Sequence, residues 1–452
     1  MKLFALHLSL LAAFSAAAAN AASPAVSGVT VSQDAATRAV TVNYTLSGAP
    51  GIVTLGVTTN GASIGDEHVW AVSGDANKVV EPGTRTLVWH PEKSWPNNVL
   101  ADGSVNVEVT AWATNDPPRY LAVNLLETGD VKYFTSAEGV PGGVTNNLYK
   151  TSSILMRRID ARGRSFMMGS PADEPGRWNS DTREAQHQVC FTNDYYIGVY
   201  EVTQRQWWYV TGGAWPSAHS NAVCRAMRPV ENVSFAMIRL NKFDTNSRKD
   251  HTTYYFPNAP FGTSFLGTLR TKSGLAFDLP GAAQWEYACK AGNGDYRWGD
   301  GSAMSSALRG TEAVDYEDPA LNRIARNAFN NQTGVYTGLD NPSQLVTPDY
   351  ASADTDVGTA EVGSYLPNSW GLYDMHGNVW EFCGDHGEVT NPYQDLPAAS
   401  NNQFRMLKGG GYNRGAFRAR ASYQLFGVSG TGAYQVEQRN PYVGFRLAIT
   451  LP

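Results

Sequence analysis

The stretch at 368–385, NSWGLYDMHGNVWEFCGD, places the strongest limit on how this chain can fold. It mixes glycines, aromatic rings, carboxylates and amides with neither a helical nor an alternating hydrophobic period, so it is built for a defined loop. Within it Asp374, Gly377, Val379 and Glu381 fall at i, i+3, i+5 and i+7. Two side-chain carboxylates therefore bracket two residues able to offer backbone carbonyls. An all-oxygen set of this kind suits a hard cation such as calcium, which takes about 6–8 oxygens at flexible angles. The plainer alternative is a glycine-bounded turn whose acids cap backbone amides.

A chain of 452 residues is too long for one ordinary core and predicts two or three domains. Charged residues make up 17%, aromatics 11%, and there are 44 glycines, a loop-rich globular composition that is not a helical bundle. The net charge of −6, with no Lys/Arg cluster or basic aromatic platform, argues against nucleic acid as a partner. The N-terminus has one Lys, an apolar run over 3–19 and a small-x-small site at Ala19-Asn20-Ala21, which predicts a cleavable signal peptide at 1–21 and a secreted or periplasmic protein. No later stretch is long enough to predict a membrane span.

From 23 to 115 short alternating segments separated by Gly, Asp and Asn predict an immunoglobulin- or fibronectin-like β-sandwich, with strands at Val29–Val31, Ala39–Tyr44, Val53–Leu55, Thr86–Trp89 and Val105–Val109. Asp116-Pro117-Pro118 stiffens the exit, and 116–153 reads as a linker with one strand. The second domain, 154–452, is α+β in character with little regular structure. Strands are expected at 164–170 and 195–202, and short helices after the N-caps Thr203 and Ser234, the latter running to about Thr245. Another helix should begin after Pro280 and end at Gly292, with Trp285, Ala288 and Cys289 on one face. The polar run 248–273 reads as a surface loop. Cys190, Cys224, Cys289 and Cys383 have no CxxC spacing, which argues against a zinc knuckle, and their three possible pairings stay open.

Taken in order, MGS at 168–170, EVTQRQW at 201–207, PGAAQWEYACKAG at 280–292, WGD at 298–300, GLYDMHGNVWE at 371–381, LKGGGY at 407–412 and GFRLA at 444–448 resemble the sulfatase-modifying factor, or formylglycine-generating enzyme, family. The resemblance covers 154–452 and implies a C-type-lectin-like core. It also implies two calcium sites. One falls on Asp374, Gly377, Val379 and Glu381, where the spacing already suggested a cation, and the other on Asn327, Ala328, Asp354 and Asp356.

Enzymes of this family bind copper(I) through two cysteines shortly after the GG-Tyr motif and use O2 to oxidise a cysteine of a sulfatase. Here GYNRGAFRARASY at 411–423 holds no cysteine, and none follows Cys383, so copper is not expected. Cys289 occupies a family position that is often disulfide-bonded, but the usual partner is missing from this sequence, which leaves it as a buried structural thiol. A facial triad of two histidines, drawn from His187, His376 and His386, and a carboxylate is a weaker idea than ordinary structural hydrogen bonding by a loop histidine. No catalytic residue is assigned.

Two functions follow. The first is a secreted, calcium-stabilised binding module, non-catalytic for formylglycine formation, whose ligand is a protein or glycan and whose partners include sulfatases. Its expected groove consists of exposed Tyr412, Arg414, Arg418, Arg420 and Tyr423. The second is an oxidoreductase for sulfatase maturation that uses a different metal site.

Overall fold

A computed structural model describes residues 22–98, 105–177, 184–219, 225–240, 259–306, 317–330, 358–385, 405–425 and 437–452. Its N-terminal part is a pair of antiparallel sheets. One has the order β1-β2-β7-β5, from β1 (Ala25–Gln33), β2 (Val40–Ser47), β5 (Val72–Gly74) and β7 (Gly83–Trp89). The other is built on β3 (Gly51–Thr59), which pairs with β4 (Ala62–Ser63), β6 (Val79–Val80) and, along its whole length, β8 (Val105–Ala113). The alternation read from the sequence is met residue by residue in β2, where Val40, Val42, Tyr44 and Leu46 point inward between exposed or half-buried polar neighbours. They meet Val53, Leu55, Val57, Leu87 and Trp89 in a core between the sheets. The Trp89 indole is satisfied there by the His68 carbonyl and the Ser94 hydroxyl, each at 3.1 Å.

The segment 116–153 does more than link. β9 (Tyr120–Asn124) and β10 (Val131–Phe134) form a hairpin, and β9 pairs antiparallel with β11 (Ser153–Ile159). The sheet continues through β14 (Tyr195–Gly198) to β18 (Ala448–Thr450), giving the order β10-β9-β11-β14-β18. Apolar Leu121, Val123, Ile154 and Met156 explain the pairing, because all four are buried in the core of the second domain. The hairpin also touches the N-terminal sheets: Tyr133 N–H donates to the Asn77 carbonyl at 2.8 Å and the Thr135 hydroxyl to Asp66 Oδ2 at 2.7 Å. Arg158 fixes the chain exit by donating to the Pro117 carbonyl at 2.6 Å and pairing with Asp116 at 2.6 Å.

A short hairpin of β12 (Ser165–Met168) and β13 (His187–Cys190) and the three-stranded group of β15 (Trp380–Phe382), β16 (Leu407–Lys408) and β17 (Val443–Gly444) complete the strands. The strand expected over 195–202 stops at Gly198. Beyond it the chain leaves the sheet, and Val202 N–H donates to the Phe445 carbonyl at 2.9 Å. Helices are few and short. After α1 (Pro91–Ser94), α2 (Gln204–Thr211) starts at Thr203 in a reciprocal capping box with Gln206 and ends at left-handed Gly212. α3 (Phe235–Arg239) is capped by Ser234 as expected, but Leu240 is already extended, so it stops well short of Thr245.

The run 248–273 is not all loop: α4 (Phe265–Ser273) buries Phe265, Leu266 and Leu269. The missed signals were Ser264, which accepts from Gly267 N–H at 3.1 Å, and left-handed Gly274 at the other end. α4 earns its place in the core by stacking Phe265 on Trp207 of α2, ring centroids 4.9 Å apart. α5 (Ala282–Lys290) buries Trp285, Ala288 and Cys289 on one face, and Ala291, one residue before the expected Gly292, takes the left-handed turn. No helix among the described residues is long and apolar enough to cross a membrane.

Candidate functional site

The loop at 368–385 owes its shape to backbone sterics. Gly371, Asp374, Gly377 and Asn378 have φ of 70°, 55°, 74° and 58°, in the left-handed region where Gly, Asn and Asp are least penalised. At Gly377 nothing else fits, since an added Cβ would lie 2.1 Å from the Arg326 carbonyl oxygen. The resulting coil brings side chains from three chain regions together. Asn378 Nδ2 donates to Glu201 Oε2 at 2.6 Å and Val379 N–H to Glu201 Oε1 at 3.2 Å. Arg446 grips Glu381 through two bonds of 2.6 Å, and Trp285 Nε1 adds a third at 2.7 Å. The same guanidinium reaches the carbonyls of Gly198, Tyr373 and Asp374 at 3.0–3.2 Å.

Glu201, Asp374 and Glu381 are thus three buried carboxyl groups around one buried guanidinium, with the Lys150 ammonium acting on Asp374 from further off. Burial, reinforced by the charges of Asp374 and Glu381, holds the Glu201 carboxyl well above the usual range. Burial likewise pushes Asp374 up to about 6, against the opposing pull of the Gly363 N–H and Arg446. Asp374 Oδ2 accepts from Gly363 N–H at 2.7 Å, whereas its Oδ1 is buried without a partner. A surplus of carboxyl groups over guanidinium, with one orphaned oxygen, is what a cation would complete. Among the described residues no cluster of three or more His, Cys, Asp or Glu side chains is arranged to hold a metal, so a cation here would draw on backbone oxygen as well.

Of the second expected cation set, Asp354 and Asp356 lie outside the described residues. Asn327 is buried, and its Oδ1 accepts from Phe329 N–H at 2.8 Å in a local Asx turn, while Ala328 N–H donates to the Arg414 carbonyl at 3.0 Å.

The residues expected to line an exposed groove are mostly interior, which corrects that expectation. Tyr412 is buried with its hydroxyl 3.0 Å from His219 Nε2, and Tyr423 packs on Trp380 and Phe417. Arg420 is fully buried and fastened by Glu184 at 2.8 and 2.9 Å and by Glu174 at 3.0 Å. Arg418 is also buried, and Arg414 is half-buried. For Arg420 the physical reason is charge: the acids at 174 and 184, far away in sequence, need its guanidinium inside.

Other motif residues do similar work. Glu286 on α5 accepts from Lys408 at 2.9 Å and Gly169 N–H at 2.7 Å and pairs with Lys290 at 3.2 Å, which joins three of the sequence motifs. Burial raises its carboxyl, but the two ammonium groups outweigh that and hold it below the ordinary value. His376 is bonded on both ring nitrogens, Nδ1 donating to the Ala419 carbonyl at 2.7 Å and Nε2 accepting from Gly299 N–H at 3.0 Å. This pattern requires the neutral ring, and burial lowers its pKa to about 4. His386 and Cys224 lie outside the described residues; Cys190, Cys289 and Cys383 are free thiols, and burial raises the Cys289 thiol.

Sequence reading missed the buried polar cluster that joins Tyr412 to His219 and Glu231. There Glu231 accepts from His219 N–H at 2.9 Å through Oε1, and its Oε2 is buried without a partner. Burial pushes this carboxyl up to about 8, opposed by the N–H groups of His219 and Ala218, the Ser217 hydroxyl and Arg228. Isolated acids in unpatterned sequence carry no signal that would have pointed to it.

Residues 158–451 match the family model for the sulfatase-modifying factor enzyme 1-like domain. Over 273 residues the chain is 26% identical to the chaperone protein LppX of Paenibacillus barcinonensis, covering 58% of this chain and 85% of that protein. It is 29% identical over 140 residues to the formylglycine-generating enzyme of Streptomyces coelicolor, which covers 30% of this chain and 35% of that enzyme. Among solved structures, PvdO from Pseudomonas aeruginosa aligns with a TM-score of 0.44 at 20% identity, over 66% of this chain and 94% of that one. Treponema denticola variable protein 1 aligns with a TM-score of 0.42 at 24% identity, over 66% of this chain and 96% of that one. Since the family match takes in well over half of the 452 residues, this protein belongs to the family of the sulfatase-modifying factor enzyme 1-like domain.

Proposed function

We propose that the protein is an exported, calcium-stabilised member of this family that does not form formylglycine and instead binds a protein or glycan ligand, with sulfatases among the candidate partners. The observation that carries this reading is the segment after the GG-Tyr motif. It supplies no thiol, and its Arg420 is committed to a buried clamp with Glu174 and Glu184. A soft copper ion needs thiolates, and a buried guanidinium offers no lone pair. The apolar N-terminal run with its small-x-small site supports export.

Calcium would be held by the orphaned Asp374 Oδ1 with the Gly377 and Val379 carbonyls and Glu381, and its charge would offset the acid surplus around Arg446. The second set, with Asp354 and Asp356, is proposed on the resemblance alone. Two measurements test the reading. A sulfatase-type cysteine peptide incubated aerobically with the copper(I)-loaded protein should remain unmodified by mass spectrometry, and formylglycine above a no-protein control overturns the non-catalytic role. Chelator should lower the melting temperature of the wild-type protein by more than that of Asp374→Ala, which keeps only the second set; equal responses remove calcium from this loop.

A further inference from the structure

The outer face of α2 and the turn behind it carry two arginines in an unusual state. Arg205 lies 5.5 Å from the Trp208 ring centroid, 5.9 Å from Tyr209 and 5.4 Å from Trp215, and Arg225 stacks on Trp215 at 4.5 Å. All five side chains are half-buried. Among the described residues neither guanidinium forms an ion pair or a hydrogen bond, in contrast to Arg158, Arg239, Arg420 and Arg446, each of which is met by carboxylates. The platform is itself held in place, since Trp215 Nε1 donates to Gln204 Oε1 at 2.9 Å and Gln204 Nε2 donates to the His219 carbonyl at 2.8 Å.

Stacking fixes the plane of a guanidinium while leaving its in-plane N–H donors to point outward, and those donors match a carboxylate or sulfate in bidentate fashion. The ordering entropy of two long side chains is thereby settled before any ligand arrives. The half-buried rings beside them add apolar surface around the pair of guanidinium groups. Part of the neighbouring main chain is already used, with Arg205 N–H on the Ala226 carbonyl and the N–H groups of Gly212 and Gly213 on the Trp208 carbonyl, and the oligoglutamate arm of the test below decides against a peptide.

We propose that Arg205 and Arg225, framed by Trp208, Tyr209 and Trp215, form a binding site for an acidic saccharide, one bearing carboxylate or sulfate groups. This deepens the binding reading above and rests on it. The test is calorimetric titration of the full chain with an oligogalacturonate, a heparin-derived oligosaccharide, a neutral oligosaccharide of equal length and an oligoglutamate peptide. The acidic saccharides should bind, more weakly as salt rises, and a preference between them identifies carboxylate or sulfate as the recognised group. Arg205→Gln and Arg225→Gln should each weaken binding at least about tenfold. Arg205→Lys, which keeps the charge but loses the fork, should weaken it comparably with an unchanged melting temperature. Equal binding of the neutral sugar, equal binding of oligoglutamate, no binding of either acidic sugar, or affinities unchanged in the variants each overturns the site. If some other ligand binds the chain without regard to Arg205, the binding reading survives and this inference fails. Formylglycine production would instead sink the non-catalytic reading.

Discussion

Glu231 should make this protein less stable as the solution becomes more basic. Its carboxyl rises from 4.5 to about 8 because it is buried with one oxygen unpartnered, and the unfolded chain feels no such penalty. A raised carboxyl keeps its proton in the folded state while the unfolded state ionises. Stability from this group is therefore complete below about pH 4.5, drains away as pH rises, and levels off above about 8. At about 1.4 kcal/mol for each pH unit between those values, the loss is at most about 5 kcal/mol, of which about 3 kcal/mol falls between pH 5.5 and 8. Glu231→Gln has no proton to lose and keeps an oxygen for the His219 N–H. Urea midpoints of wild type and variant, measured at several pH values, should diverge steadily, with the variant gaining as pH rises. Other titrating groups cancel in that difference. Parallel curves would mean that Glu231 is already ionised in the folded protein, and the burial argument would be wrong.

Gly377→Ala should cost at least about 2 kcal/mol, from the left-handed backbone and the clash with the Arg326 carbonyl, and is checked by thermal melting. Arg420→Leu leaves Glu174 and Glu184 buried without their cation and should cost about 3–5 kcal/mol; adding Glu184→Gln should recover part of that loss in chemical denaturation. Thr203→Ala removes one half of the capping box of α2 and should cost about 1 kcal/mol by the same assay.

What could be read from sequence was what lies in local pattern. The alternation in β2, the caps Thr203 and Ser234, and the buried face of α5 all depend on near neighbours, and each is where the pattern placed it. The glycines of the loop at 368–385 marked a defined turn in the same way, and Gly371, Asp374, Gly377 and Asn378 build it with left-handed backbone. The helix at 265–273 has local caps in Ser264 and Gly274, but its place in the core was hidden because its apolar residues sit in a polar run and pack on distant Trp207. The interior position of Arg420 was hidden for the same reason, since its partners lie some 240 residues away, at separations of 236 and 246. Arginine beside tyrosine looks like surface until the acids that draw it inward are known. The aromatic stacking of Arg205 and Arg225 likewise joins α2 to chain segments whose approach no spacing rule predicts.

The hairpin of β9 and β10 bears on how this domain could be inherited or transplanted. The family match begins at 158, yet β11 starts at Ser153 and has its outer hydrogen-bonding edge closed by β9. A chain cut back to 154 would keep the recognisable domain and lose this shield. The edge carrying Ile154, Leu155 and Met156 would then lie bare, an invitation for two copies to pair strand to strand and precipitate. In the intact chain β9 and β10 cover that edge, and Tyr133 of β10 is itself tied to Asn77 of the N-terminal sheets, so the stretch that keeps β11 paired is longer than the 158–451 of the family match.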